Sequence, residues 1–115
     1  MVAEDFLRPS EIVEVVTSCD DEPVLERIAA ALIHDHLAAC VHLVGPTSST
    51  YRWQGAVHRA TEWQLVAVTT RERVGAVVSC IEGAHPYELP SVSVRSVEAT
   101  DSYATWVAGE TAPRR

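Results

Sequence analysis

The stretch from Leu37 to Gly55, LAACVHLVGPTSSTYRWQG, limits what this chain can fold into more than any other. It begins where a helical pattern ends and runs on as extended chain, well past the about 5–6 residues of an ordinary strand. Two aromatics, Tyr51 and Trp53, precede a Gln54-Gly55 turn, where glycine supplies the positive φ of a tight hairpin. The 115 residues make one domain by length, and a core of that size does not underlie the whole of so long a ribbon. Its tip therefore needs a partner, and another copy of the chain is the expected one.

The charge balance narrows the partners. Nine basic against sixteen acidic side chains leave a net charge of −7, which argues against nucleic acid and against an anionic membrane surface, since both are bound through basic patches. An acidic surface permits cations as ligands without requiring one. The N-terminus lacks a basic segment followed by an apolar run, and no apolar stretch approaches the roughly 18–20 residues of a membrane span. Cys19, Cys40 and Cys80 are odd in number and widely spaced, neither a disulfide framework nor a zinc pattern. The expectation is a cytoplasmic protein with free thiols.

Taken in order, residues 1–10 read as a flexible arm and residues 11–18, EIVEVVTS, as a buried strand. Asp20-Asp21 offers an N-cap, and Pro23 is tolerated in a first helical turn. Leu25, Ile28, Ala29, Leu32, Ile33 and His36 or Leu37 then recur at helical spacing up to about Leu37. Ala39 to Leu43 is the buried end of the ribbon, and Gly45-Pro46 marks a bulge. Ala56 to Thr69 is the returning strand, apolar through Leu65-Val66-Ala67-Val68 where it rejoins the core. Thr69-Thr70-Arg71-Glu72 fits a capping box with Thr69 as N-cap. It opens a second helix, with Val74, Val77, Val78 and Ile81 on one face, ending near Gly83. Two prolines stiffen the loop AHPYELP. Ser91 to Ala99 alternates as the last core strand, and Asp101 caps a short helix with Tyr103, Trp106 and Val107 on one face. Residues 11–110 thus form an α+β domain of order βαββαβ with a terminal helix, followed by a tail over 111–115. This is the ferredoxin-like split arrangement with an extended central β-hairpin.

These residues carry a family resemblance. VTSCDDEPVLERIA, LAACVHLV, Tyr51-x-Trp53-x-Gly55 with Glu62, and Thr69-Thr70-Arg71-Glu72-Arg73 come in order. His85-Pro86-Tyr87-Glu88-x-Pro90 and Tyr103-x-x-Trp106 follow. Over about residues 11–107 the chain resembles the divalent-cation tolerance family CutA. The resemblance implies a ferredoxin-like subunit in a tight homotrimer like the PII-type signalling proteins. It also implies a cytoplasmic, non-enzymatic role in the response to divalent metals such as copper, and shared residues clustered at the clefts between subunits. Some positions differ from the family's usual pattern. His42 stands where asparagine is common, and Val68 where a lysine is often found. Copper-binding members use a cysteine and two histidines at the positions of Thr17, Ala84 and His85, so one ligand of that set is present.

Among the residues themselves, His85 is the leading metal candidate. Pro86 biases it to an extended backbone, and Glu88 either orients the ring or shares the cation. The bland reading is that both simply hold the loop. Cys40 and His42 are two apart on a strand and face the same way, either in a packed core or, in a cleft, as a soft pair suited to copper or zinc. His34 and His36 sit about 200° apart around a helix and do not chelate together. Tyr51, Trp53 and Trp63 form either a ligand platform or an aromatic cluster at the trimer interface. Tyr51, Glu62, Tyr87 and Trp106 are the cleft candidates. No phosphate loop, metal-protease helix or nucleophile elbow is present. The competing reading is a PII-like sensor of a small anionic metabolite using Arg52, Arg71 or Arg73. A further one is an enzyme with Cys40 as nucleophile.

Overall fold

The computed structural model describes residues 8–113. Its elements are β1 (Arg8–Cys19), α1 (Glu22–His34), β2 (Cys40–Trp53) and β3 (Ala56–Thr70), then a 3-10 turn (Arg71–Arg73), α2 (Val74–Ala84), β4 (Val92–Ala99) and α3 (Asp101–Glu110). The sheet order is β2-β3-β1-β4, with every neighbouring pair antiparallel. The α1 crossover carries the chain from β1 past β3 to β2, which is the ferredoxin-like α+β arrangement. The expected arm falls on residues 1–7 outside the described chain, except that Arg8 to Ser10 belong to β1; Arg114 and Arg115 also lie outside. No helix among the described residues is long and apolar enough to cross a membrane.

The valine run of β1 reads as it does because both faces of this strand are covered. On one face Val13, Val15 and Cys19 meet Leu25, Ile28 and Leu32 of α1, Val77 and Ile81 of α2, and Leu65 and Ala67 of β3. On the other, Ile12 joins Val68, Ala99 and Val107 beneath α3. Thr17 lies fully buried on β1, and its hydroxyl has no hydrogen-bond partner.

Three expected helix ends differ, each for an identifiable contact. Helix α1 stops at His34 because His36 takes φ 56°; the N–H of Leu37 reaches the Leu32 carbonyl at 2.9 Å and that of His36 the Ile33 carbonyl at 3.1 Å, a left-handed C-terminal stop. The capping box does not form. Thr69 is a buried residue of β3 whose Oγ1 donates to the Leu37 carbonyl at 2.7 Å, so α2 starts later, at Val74, and runs through Gly83. Thr100, not Asp101, caps α3, its hydroxyl accepting from the Tyr103 N–H at 3.3 Å. β4, expected from Ser91 and found from Val92, contributes Val92, Val97 and Ala99 to the core as the sheet's edge strand, paired among the described residues with β1, and Arg95 meets Glu14 there at 3.2 Å. A charged edge discourages further strand pairing.

The central hairpin runs from Cys40↔Val68 to Trp53↔Ala56, with a register shift between Val44 and Thr47. At that bulge Gly45 has φ +152°, and a Cβ there would lie 2.8 Å from Cδ1 of Trp63, so glycine is required by conformation and by space. Gln54 (φ 50°) and Gly55 (φ 81°) make the two-residue turn. β1 accompanies β3 only as far as Cys19↔Trp63. Beyond it, Thr47–Trp53 and Ala56–Glu62 pair, among the described residues, only with each other, and the molecule extends to 52 Å against 32 and 21 Å.

Candidate functional site

The site is assembled where the free ribbon leaves the core and the loop after α2 comes up against it. The N–H of His85 closes α2 on the Ile81 carbonyl at 2.9 Å, and ahead of Pro86 its backbone turns extended, at φ −76° and ψ 133°. The ring is buried. The backbone N–H of Tyr87 donates to Nδ1 at 3.2 Å, so the ring proton sits on Nε2, which donates to the Ser18 carbonyl at 2.8 Å. Both nitrogens are thereby occupied, and neither is offered to a metal.

What His85 does is place Tyr87, whose ring meets it edge-on at 4.7 Å. The Tyr87 hydroxyl donates to Oε2 of Glu62 at 2.7 Å and accepts the N–H of Asp20 at 2.9 Å. Burial pushes the phenol's pKa up, and its hydrogen bond to the Glu62 carboxylate pushes it further. Glu62 is itself only 7% exposed, and Thr47 Oγ1 donates to its backbone carbonyl at 3.0 Å across the bulge. The end of β1, both strands of the ribbon and the loop are thus joined through one carboxylate–phenol pair.

Beside that pair opens a cleft of about 340 Å³, walled by Tyr51, Trp53, Tyr87 and Leu89 and by the carboxylates of Asp20, Glu62 and Glu88, with Ser91 at its rim. Among the described residues no lysine or arginine lines it. Such a site attracts positive charge, through its carboxylates and through the faces of its aromatic rings.

Five residues named from sequence, Tyr51, Trp53, Glu62, Tyr87 and Glu88, meet in this cleft. Asp20, Leu89 and Ser91 were not among them; Asp20 reads in sequence as a helix cap, and its part here rests on a backbone N–H that carries no sequence signal. Trp106 lies elsewhere, on α3, stacked on Tyr103 at 5.9 Å. Trp63 packs half-buried against the helix-side core, apart from Tyr51, which is 43% exposed and stacks on His58 at 5.6 Å. Arg71 bonds Ser96 and faces Glu11, and Arg73 donates to the Thr111 carbonyl at 2.8 Å. His34 sits on Asp35 at 3.0 Å, while His36 Nδ1 lies 3.2 Å from the Glu110 carbonyl. The packed core expected for Cys40 and His42 covers only the first: Cys40 packs against the α3-side cluster, and His42 is exposed. Among the described residues no three His, Cys, Asp or Glu side chains are grouped to hold a metal ion.

With the fold and cleft in view, comparison with known proteins is decisive. A family model described as CutA1 divalent ion tolerance protein matches residues 13–110. The chain belongs to the CutA1 family. The divalent-cation tolerance protein CutA of Salmonella newport (strain SL254) is 32% identical over 106 residues, covering 91% of this chain and 91% of its own. The crystal structure of CutA from Xylella fastidiosa superposes with a TM-score of 0.85 at 34% identity, over 89% of this chain and 99% of that one. A CutA of Archaeoglobus fulgidus, described as a periplasmic divalent cation tolerance protein, gives 0.83 at 25% identity, over 87% and 98%. Of the positions that the CutA resemblance associates with copper, Thr17 is buried in the sheet, Ala84 ends α2, and His85 is committed to the loop.

Proposed function

We propose that this CutA-family protein acts without catalysis in tolerance of divalent metal ions, as a homotrimer whose clefts receive a cation. The observation that carries the reading is the cleft itself. Asp20, Glu62 and Glu88 supply negative charge, three aromatic rings supply electron-rich faces, and no basic side chain opposes them. A cation that keeps part of its water is held there by charge, with Asp20 and Glu88 as the exposed carboxylates and Glu62 committed to Tyr87. Copper held through His85 is not part of the proposal, because that ring orients Tyr87 with both nitrogens.

Assembly is supported by the ribbon. Seven successive residue pairs beyond β1 have no third strand, and a two-stranded hairpin alone is marginal in water. Tyr51 and Val57 stand 43% and 59% exposed on it. A neighbouring subunit that covers them also closes the cleft at the ribbon's foot. An anionic metabolite finds less support, since Arg71 and Arg73 are engaged away from the cleft, Arg52 is exposed on the ribbon and is not among the cleft's lining residues, and that lining is acidic. We place the protein in the cytoplasm, where the free thiols of Cys19, Cys40 and Cys80 persist; cell fractionation checks this against the periplasmic description of the Archaeoglobus relative.

Thermal shift on the wild type and on Glu88→Gln tests the ligand class. Divalent cations should raise the melting temperature of the wild type and raise it less in the variant. A rise with nucleotides or organic anions and none with metals would replace this reading with the anion-sensor one.

A further inference from the structure

A second group of donor atoms lies away from the cleft, on the root of the hairpin. Cys40 and His42 are two residues apart on β2 and so point to the same side of the sheet. Their partners across the ladder are Val68 and Val66, both buried, which flank the pair with apolar side chains on the same face. Cys40 is half-buried against the α3-side cluster, while His42, one step along the strand, is exposed. Cys40 Sγ and His42 Nε2 are 3.4 Å apart.

That separation has a chemical meaning. An ion bonded tetrahedrally to a thiolate at about 2.3 Å and to an imidazole nitrogen at about 2.0–2.1 Å sets those two donor atoms roughly 3.5 Å from each other. The pair already has the bite of a chelate, so binding requires little movement of either side chain. One ligand is packed against the α3-side cluster and the other is exposed on the single subunit. The carboxylate nearest along the same row of the sheet, Glu14, lies two strands away and is held by Arg95 at 3.2 Å. It does not compete for the ion. We propose that Cys40 and His42 form a two-ligand surface site for a thiophilic divalent cation of the zinc class. On binding, the Cys40 thiol proton leaves to solvent, the sulfur–metal bond forms in its place, and the neutral imidazole donates its Nε2 lone pair. The site shares no residue with the cleft.

Titration of the full-length protein with Co(II), read by its thiolate-to-metal charge-transfer band and displaced by Zn(II), tests it. The expected result is one band-forming Co(II) per chain, counted from the charge-transfer absorbance apart from any ion in the cleft, with about one proton released for it. The band is lost in Cys40→Ser, affinity falls at least about tenfold in His42→Asn, as losing even a supporting partner of a ligand does, and His34→Gln, an exposed imidazole on α1, leaves the band unchanged. Because His42 is exposed, its variant keeps the fold even if Cys40→Ser does not. A band that survives Cys40→Ser, or an affinity unchanged in His42→Asn, overturns the chelate.

Discussion

The two halves of the central hairpin are built from the same strands and the same ladder, yet they are held differently. At the root, Cys40–Val44 pairs with Gln64–Val68, and Leu65, Ala67 and Val68 are each at most 3% exposed beneath the helices. At the tip, Thr47–Trp53 pairs with Ala56–Glu62 just as regularly, but Tyr51 and Val57 lie open. Backbone pairing does not separate the halves, because each ladder bond replaces one to water for a net gain of about 1 kcal/mol, and ordering a residue costs about 1–2. Side-chain burial separates them, at about 25 cal/mol per Å² of apolar surface. The root draws that burial from its own chain, and the tip draws it from the proposed neighbour. The cleft sits on the boundary between the two regimes, where Gly45, Glu62 and Tyr87 tie the free ribbon to the core.

Substitutions graded across that boundary sharpen the contrast. At the root, Leu65→Ala removes a fully buried side chain and should lower unfolding stability by about 2–5 kcal/mol in denaturant titration; a loss under about 1 would mean the root is not core. At the bulge, Gly45→Ala places a methyl against Trp63 at a positive φ and should cost about 2–3 kcal/mol, with the near-ultraviolet dichroism of Trp63 altered.

Tyr87→Phe leaves the buried Glu62 carboxylate and the Asp20 N–H without their partner, a loss of about 2 kcal/mol. It also changes the alkaline limb. Burial and Glu62 raise the Tyr87 phenol above its ordinary 10.0, so the folded state keeps that proton longer than the unfolded chain does. The stabilisation is full below pH 10 and fades above it. The variant should lose that slope and keep the earlier decline, beginning near pH 9, from the Cys19 and Cys80 thiols, which burial raises from 9.0. The smallest effect is a gain: Thr17→Val replaces an unpartnered buried hydroxyl with a methyl of the same shape and should stabilise by about 1 kcal/mol in the same titration.

Much of this architecture is legible in the residues. The valine run of β1, the Gly45-Pro46 bulge, the Gln54-Gly55 turn and the helical period of α2 each state a local preference that the fold honours. The misreadings lie where a local pattern met a longer-range contact. Thr69 fits a capping box, but its hydroxyl is taken by the Leu37 carbonyl, 32 residues away. The helical spacing up to Leu37 hides the left-handed turn at His36. In the cleft, the aromatic and acidic residues were visible, but their roles were not, since those depend on which ring nitrogen of His85 meets the Ser18 carbonyl and on the backbone N–H of Asp20. Strand alternation correctly put Cys40 and His42 on one face. Whether that face is covered depends on where α3 packs, and the cluster beneath it takes in Cys40 while His42 stays exposed.

The mass of the protein in solution, by light scattering across a dilution series, tests most directly whether the ribbon is an assembly device. Three chains of 12.6 kDa give 3 × 12.6 = 37.8 kDa, and this is the expected species. It should dissociate when Tyr51 and Val57 are both replaced by aspartate, with the fold of the separated subunits kept. A stable 12.6 kDa monomer with an ordered ribbon would contradict the account.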